Sequence, residues 1–230
     1  RREFLKTFAV ATTATAGLTL TKAKAQELSN SDDDSNQSMG VLFDATLCVG
    51  CRSCEWACKE EHNIATSDRL SYQDRSVFKD FRRPTDSAYT VVNEFPNENN
   101  PLLPIDVKYQ CMHCLHPGCV SACIVGAFKK TPQGAVIWDT KKCIGCRYCM
   151  VACPFQVPTF QFNKAIQPNI TKCDFCYPNR TSKGKLPACV ENCPVEALLY
   201  VPREEILSIA KQRIRRNPNK YYNKVMGENE

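Results

Sequence analysis

Apolar and polar residues alternate along this chain in bursts that are all short. GVLFD (40–44), YTVVNEF (89–95), IDVKY (105–109) and ALLYV (197–201) each read as a strand. AFKK and AVIWD flank the turn TPQG, which is the signature of a hairpin. ENNPLLP (98–104) and YPNRTSKGKLPA (177–188) read as loops. One stretch has helical character: PREEILSIAKQRIRR has Pro at its start, Glu204 and Glu205 in the first turn and Arg213, Arg215 and Arg216 near its end. The apolar run AVATTATAGLTL is Thr-rich and, at about a dozen residues, too short to cross a bilayer comfortably.

Composition sharpens this pattern. Of 230 residues only 9% are aromatic while 16 are Cys, so the cores must be small and something other than apolar burial must staple them. Residues 1–25 read as a twin-arginine signal peptide: Arg1, Arg2 and Lys6 make a basic start, and Ala23-Lys24-Ala25 resembles a cleavage site. Residues 26–39 are polar and acidic and read as a flexible linker. The formal charge of +6 comes from 30 basic and 24 acidic residues. Removing 1–25, with five basic residues and one acidic, leaves 25 and 23, or +2. No basic run interleaved with aromatics remains, so no nucleic-acid partner is expected.

The cysteines fall into four groups of four. Cys48, Cys51, Cys54 and Cys58 are spaced C-x2-C-x2-C-x3-C, and Cys143, Cys146, Cys149 and Cys153 repeat that spacing and add Pro154. Cys111, Cys114, Cys119 and Cys123 follow C-x2-C-x4-C-x3-C, and Cys173, Cys176, Cys189 and Cys193 follow C-x2-C-x12-C-x3-C before Pro194. A cubane cluster offers iron at its corners; a tight loop brings three thiolates onto three of them and cannot reach the fourth. In the bacterial ferredoxin run the fourth cysteine therefore ligates the other cluster of a pair. Four such runs point to four 4Fe-4S clusters in two modules.

Other readings stay open on the residues alone. Structural zinc also uses C-x2-C pairs, though it needs neither the third cysteine nor the repeated C-x3-C tail. Disulfides suit exported proteins, but eight bridges do not account for repeated spacing. Rieske-type ligation by His62, His113 or His116 would leave cysteines redundant, so these histidines are expected at the surface or beside ligands.

GVLFDATLCVGCRSCEWAC, QCMHCLHPGCVSAC, KKCIGCRYCMVACPF and TKCDFCYPNRTSKGKLPACVENCPVEAL resemble the four cysteine groups of a known family. It comprises the four-cluster ferredoxin-like electron-transfer subunits of exported, membrane-associated oxidoreductases. Its members resembling this chain serve periplasmic nickel-iron hydrogenases, formate-dependent nitrite reduction, high-molecular-weight cytochrome complexes and molybdopterin enzymes. The resemblance covers about 40–200 and implies an α+β fold: two ferredoxin-like 2x[4Fe-4S] modules with small antiparallel hairpins, short helices, an insertion and a C-terminal helix. The four-cluster domain would be 40–202. The inner module would span 105–160, the outer module 40–58 plus 170–202, the insertion 59–104, and the helix and tail 203–230. It also implies ligand sets. Cys111, Cys114 and Cys119 would share a cluster with Cys153, and Cys143, Cys146 and Cys149 with Cys123; Cys48, Cys51 and Cys54 would pair with Cys193, and Cys173, Cys176 and Cys189 with Cys58. The clusters would form a line. Two departures stand out: Cys123 precedes Ile124 where the family usually has Pro, which questions the local turn. Some relatives also continue to a membrane helix, whereas this chain ends in a polar tail at Glu230.

Each oxidised cluster with four thiolates carries about −2, so four bring the +2 chain to about −6. Lys129, Lys130, Lys141, Lys142, Arg147 and Lys172 lie near the cysteines and either tune potentials, mark docking surfaces or are solvated. No Ser-His-Asp set, phosphate loop or dinucleotide fingerprint appears, so the chain is expected to be a non-catalytic electron-transfer subunit. The expected partners are a catalytic subunit (molybdopterin enzyme, nickel-iron hydrogenase or multihaem cytochrome) and a polytopic quinone-reactive membrane subunit. The expected location is the periplasmic side of the cytoplasmic membrane, with attachment through those partners and no transmembrane helix of its own. A free-standing periplasmic polyferredoxin and a zinc-stabilised interaction module are the alternatives.

Overall fold

The computed structural model describes residues 38–98, 100, 102–166 and 168–230. The signal peptide expected at 1–25 and linker residues 26–37 lie outside the described residues. The linker expectation gives way at its end, because Ser38 is buried and strand β1 already begins at Met39.

The described residues form a mixture of small strands and helices, with the strands arranged as four two-stranded antiparallel sheets. β1 (Met39–Phe43) pairs with β8 (Leu198–Pro202), setting Val41 opposite Tyr200, so the two ends of the cysteine-bearing region meet. Helix α5 (Arg203–Arg216) leaves β8 without a loop and packs Ile206 and Ala210 against that sheet. Gly40 permits this approach, since a Cβ there would stand 3.0 Å from Ile206 Cδ1. Glu204 and Glu205 in the first turn of α5 and three arginines in its last complement the helix dipole.

β2 (Val91–Phe95) and β3 (Ile105–Tyr109) form the hairpin of the segment after the first cysteine run. β4 (Phe128–Lys130) and β5 (Val136–Trp138) form the hairpin around TPQG, closed by the Thr131 amide on Ala135 O at 2.8 Å. β6 (Thr159–Phe160) and β7 (Ile170–Thr171) make a further pair, of two residues each, that the sequence pattern does not announce.

Each cysteine run feeds a short helix. α1 (Ser53–Glu61) carries Cys54 and Cys58, α2 (Gly118–Ser121) carries Cys119, α3 (Tyr148–Val151) carries Cys149, and α4 (Ala188–Glu191) carries Cys189. α1 packs on α4 and α2 on α3, so the first run meets the fourth and the second meets the third. The interior is correspondingly small. One core joins Cys119, Phe128, Val136, Cys149 and Ile170; the other joins Ala57, Cys176 and Ala188.

Where apolar mass is short, buried charge does the joining. Glu55, 2% exposed, lies on α1 and its carboxylate accepts from the Val92 amide at 2.6 Å, from Arg82 at 2.6 Å and from Arg52 at 3.2 Å. The pairing fastens the 59–104 segment to the first cysteine run. At the other edge Asp44 accepts from Arg213 at 2.7 Å, Tyr221 at 2.9 Å and Thr46 at 2.6 Å, tying β1 to α5 and the tail.

Candidate functional site

The four cysteine runs share a backbone device. The second of the two residues between the first and second cysteines is left-handed in every run: Gly50 (φ 66°), His113 (φ 49°), Gly145 (φ 70°) and Phe175 (φ 60°). The left-handed residue reverses the chain so that the flanking thiols can converge. Gly takes this conformation freely, whereas His and Phe strain to hold it. Gly50 has a further reason to be Gly, because a Cβ would fall 2.4 Å from Asp106 Oδ1. Turns after the last cysteine also repeat: Gly126, Gln156 and Glu196 are left-handed and donate their amides to the carbonyls of Cys123, Cys153 and Cys193. The turn after Cys123 thus keeps the common form although Ile124 replaces Pro. Gly126, open on all sides, supplies the conformation.

The sixteen thiols are all free, and most are buried or half-buried, Cys146 being exposed. One small cavity is lined by Cys48, Cys51, Cys54 and Cys193, together with Arg52 and Lys108. A second is lined by Cys58, Cys173, Cys176 and Cys189, with His62 beside them. Each of these two cavities thus gathers four thiols, drawn from runs at opposite ends of the chain. In the remaining eight cysteines the electrostatic neighbours of Cys119 are Lys172 and the sulfurs of Cys111, Cys153 and Cys114, and those of Cys149 include Cys143, Cys146 and Cys123 as well as Cys119.

Burial dominates the acidity of these thiols. It pushes Cys119 up to about 11 and Cys149 and Cys176 up to about 12, with neighbouring sulfurs adding to the rise. Cys54, Cys58 and Cys173 are likewise raised, first by burial and also by neighbouring sulfurs, against the opposing pull of Lys108. Thiols gathered in quartets and held so unfavourably as free thiolates fit a group that neutralises them, and the donor set of four sulfurs per site suits iron in a cubane.

Two buried lysines stand among the sulfurs. Lys108 projects inward from β3, donates to Thr90 Oγ1 at 2.8 Å and to Gln110, and interacts with Cys54, Cys58, Cys173 and Cys189. Burial opposes its charge, yet those sulfurs overcome the penalty and raise its pKa. β3 therefore runs inside out: Asp106 and Lys108 are buried while Ile105 is exposed. Lys172, 1% exposed, donates to the carbonyls of Val136 and of Cys173 (2.7 Å) and lies 3.6 Å from Cys111 Sγ.

The histidines separate. His116 is exposed. His62 places Nδ1 2.8 Å from Cys58 O and Nε2 2.9 Å from Asp174 Oδ1, so both nitrogens act as donors to oxygen. Burial works against its proton, but the Asp174 carboxylate prevails and its pKa is raised. His62, Asp174 and Cys176 lie close together. With both ring nitrogens already donating, His62 has no lone pair for a metal and serves instead to staple α1 to the fourth run. His113 is buried and stacked on Phe175 at 3.6 Å. Burial and the nearby Lys172 push its pKa well below the ordinary value, so it is neutral.

Of the six cations singled out by their proximity in sequence, Lys129, Lys141, Lys142 and Arg147 are exposed, Lys130 donates to Leu115 O at 3.0 Å, and Lys172 alone approaches a thiol among the described contacts. Sequence reasoning missed Lys108, Glu55 and Phe175. The signal for Phe175 was present, since two of the runs read C-x-G-C and mark the left-handed position in all four.

A family model described as a 4Fe-4S dicluster domain matches residues 105–203. A protein of Nitratidesulfovibrio vulgaris is 44% identical, aligned along 100% of this chain and 61% of its own. The hydrogenase-2 operon protein HybA of Escherichia coli O157:H7 is 38% identical over 80% of this chain and 58% of its own. This chain thus spans about three-fifths of the length of those two relatives. The B subunit of the anaerobic dimethyl sulfoxide reductase of Escherichia coli K12 is 36% identical over 73% of this chain and 75% of its own. With three quarters of that reductase subunit aligned, the protein belongs to the family of iron–sulfur, 4Fe-4S electron-transfer subunits of which it is a member.

Proposed function

We propose that this chain carries four 4Fe-4S clusters and relays electrons between a catalytic or cytochrome subunit and a quinone-reactive membrane subunit of a respiratory oxidoreductase complex. The observation that carries the reading is the pair of cavities lined by Cys48, Cys51, Cys54 and Cys193 and by Cys58, Cys173, Cys176 and Cys189. By the same logic Cys111, Cys114, Cys119 and Cys153 hold a third cluster, and Cys143, Cys146, Cys149 and Cys123 a fourth. These pairings make two modules, inner and outer, each closed by cross-ligation. When bound, such clusters supply one-electron redox chemistry at potentials spanning about −700 to +450 mV.

The chain's own residues do the rest. The left-handed turns aim the thiols, the helix pairs α1–α4 and α2–α3 bring complementary runs together, and Lys108 and Lys172 offset the thiolate charge. No step of substrate chemistry is assigned to this chain. The names of two relatives, a hydrogenase operon protein and a reductase subunit, support a subunit role in a larger enzyme. No described helix is long and apolar enough to cross a membrane, and we place the chain at the periplasmic face of the membrane, held by its partners.

The test is anaerobic purification from detergent-solubilised membranes. A relay subunit fractionates with a larger redox subunit and a polytopic membrane protein, and a quinol added to that complex reduces its iron–sulfur signals. A chain that fractionates alone, with clusters indifferent to quinol, would be a free-standing polyferredoxin instead.

A further inference from the structure

The second and fourth cysteine runs touch at one place, and the contact is reciprocal. Lys172, which precedes Cys173 in the fourth run, lies 3.6 Å from Cys111 Sγ of the second. His113, between Cys111 and Cys114 in the second run, lies 3.5 Å from Cys173 Sγ of the fourth. The direction of the second contact follows from geometry. The Val136 amide donates to His113 Nδ1 at 2.9 Å, so Nδ1 carries the lone pair. In the neutral ring the proton is then on Nε2, the atom facing sulfur. Both contacts are therefore N–H donors aimed at a thiol of the other run.

The backbone shows that this contact is held against strain. At the left-handed position the first and third runs use Gly50 and Gly145, whereas the second and fourth use His113 and Phe175. A side chain there is disfavoured, and such outliers persist where the surroundings over-determine them, often for function. The two rings stack at 3.6 Å and 26°, which fixes the His113 plane and hence the aim of Nε2. Lys172 is fixed as firmly by the carbonyls of Val136 and Cys173 and by the Trp138 ring 5.5 Å away. Val136 binds both devices, its amide to His113 and its carbonyl to Lys172.

We propose that Lys172 and His113 are a crossed pair of tuning residues. Each is carried by one cysteine run and donates to a ligand sulfur in the other, and so raises the reduction potential of the cluster across the boundary. The proposal rests on the reading above that Cys111 and Cys173 are ligands of different clusters. The physical cause is general: reduction adds negative charge to a cluster, and a donor on its sulfur stabilises the more negative form. Because the donors are exchanged, each cluster at the junction has its potential raised by a residue that the other run supplies.

The signature is a crossed response, read by potentiometric EPR titration of the anaerobically purified, iron-loaded chain. The signals are first assigned with Cys114→Ser and Cys176→Ser. Lys172→Met should lower the potential of the cluster assigned by Cys114, by roughly a tenfold change in its reduction equilibrium or about 59 mV for one electron, and move the Cys176 cluster less. Lys172→Arg should restore most of the shift. His113→Asn should do the reverse and lower the Cys176 cluster. Asn tolerates the left-handed backbone and can still accept from the Val136 amide, but is too short to reach sulfur. If Lys172→Met loses iron because two carbonyls are orphaned, His113→Asn decides. With 15N-histidine labelling, a nitrogen coupling on the Cys176 cluster should vanish in His113→Asn. Unchanged potentials in both variants at full iron content, or shifts confined to the cluster of the substituted residue's own run, would overturn the crossed pair and leave the four-cluster reading standing. An unsubstituted chain without its full iron would overturn that underlying reading, and the pair with it.

Discussion

In residues 105–160 the second and third cysteine runs are neighbours in sequence, and one hairpin, β4–β5, spans the gap between Cys123 and Cys143. In residues 40–58 and 170–202 the first and fourth runs must instead meet around all the chain that lies between. Two four-cysteine runs are thus brought together across a short loop in one region and a very long one in the other. Loop closure costs more entropy as the loop lengthens, though slowly. The structure meets the difference with additional joints: the β1–β8 pairing and the His62–Asp174 staple link the two stretches, while the Glu55 carboxylate with Arg52 and Arg82 braces the first run against the 59–104 segment and the Asp44 anchor to Arg213 and Tyr221 braces β1 against α5 and the tail. The inner region has its apolar core around Phe128 and Val136, against which Ile170 packs from the outer stretch, whereas the outer core is reduced to Ala57, Cys176 and Ala188. Where apolar mass is lacking, buried polar pairs hold the thiols in place.

That contrast can be broken most forcefully at Glu55. Glu55→Ala leaves the buried Val92 amide without its acceptor and takes the carboxylate from Arg52 and Arg82, which keep only backbone carbonyls, and removing one partner of a buried pair costs about 3–5 kcal/mol. On the proposed four-cluster reading, the urea midpoint for loss of the outer region's two clusters should fall well before that of the inner pair. Equal falls for all four would mean that the regions do not differ in this way.

Asp44→Asn should cost less, about 1.5–3 kcal/mol for hydrogen bonds to a charged group, and it adds a pH dependence. Burial pushes the Asp44 carboxyl up, but the bonds from Thr46, Arg213 and Tyr221 outweigh burial and hold it below its ordinary value. A carboxyl lowered on folding contributes stability fully above its unfolded pKa of about 3.9, and that contribution disappears as pH falls through the folded value. Thermal unfolding followed across the acid range should show a steeper acid limb in the wild type than in Asp44→Asn.

The smallest effect is expected at Gly126, whose added Cβ would meet nothing. Gly126→Ala should cost only the left-handed backbone, about 1 kcal/mol. Gly50→Ala adds to that cost an overlap with the buried Asp106 carboxylate. Side-by-side urea titrations should therefore rank Gly50→Ala as clearly the worse.

Local signals made much of this legible in the sequence. IDVKY is β3 as read, TPQG turns the β4–β5 hairpin, and the dipole-matched segment after Pro202 is helix α5. What escaped was set by distance. β6 and β7 are two residues each, too short for a period to show, and no local signal pairs β1 with β8. Lys108 escaped because alternation in a strand is ordinarily read with its apolar face inward. In β3 the inward neighbours are thiols, so Asp106 and Lys108 turn in and Ile105 turns out. Lys172 was legible only as one of six cations close to cysteines, and nothing in its immediate sequence separates it from the solvated ones. His113 was legible as a residue beside ligands, but not as a donor to another run.

The central claim is the number and kind of the metal centres, and the direct measurement is iron, zinc and acid-labile sulfide on protein purified without oxygen, with an EPR spectrum after reduction. Four cubanes predict about 16 Fe per chain and matching sulfide, with spin-coupled signals. Zinc without sulfide, or about half that iron with the outer thiols still titratable, would contradict the account.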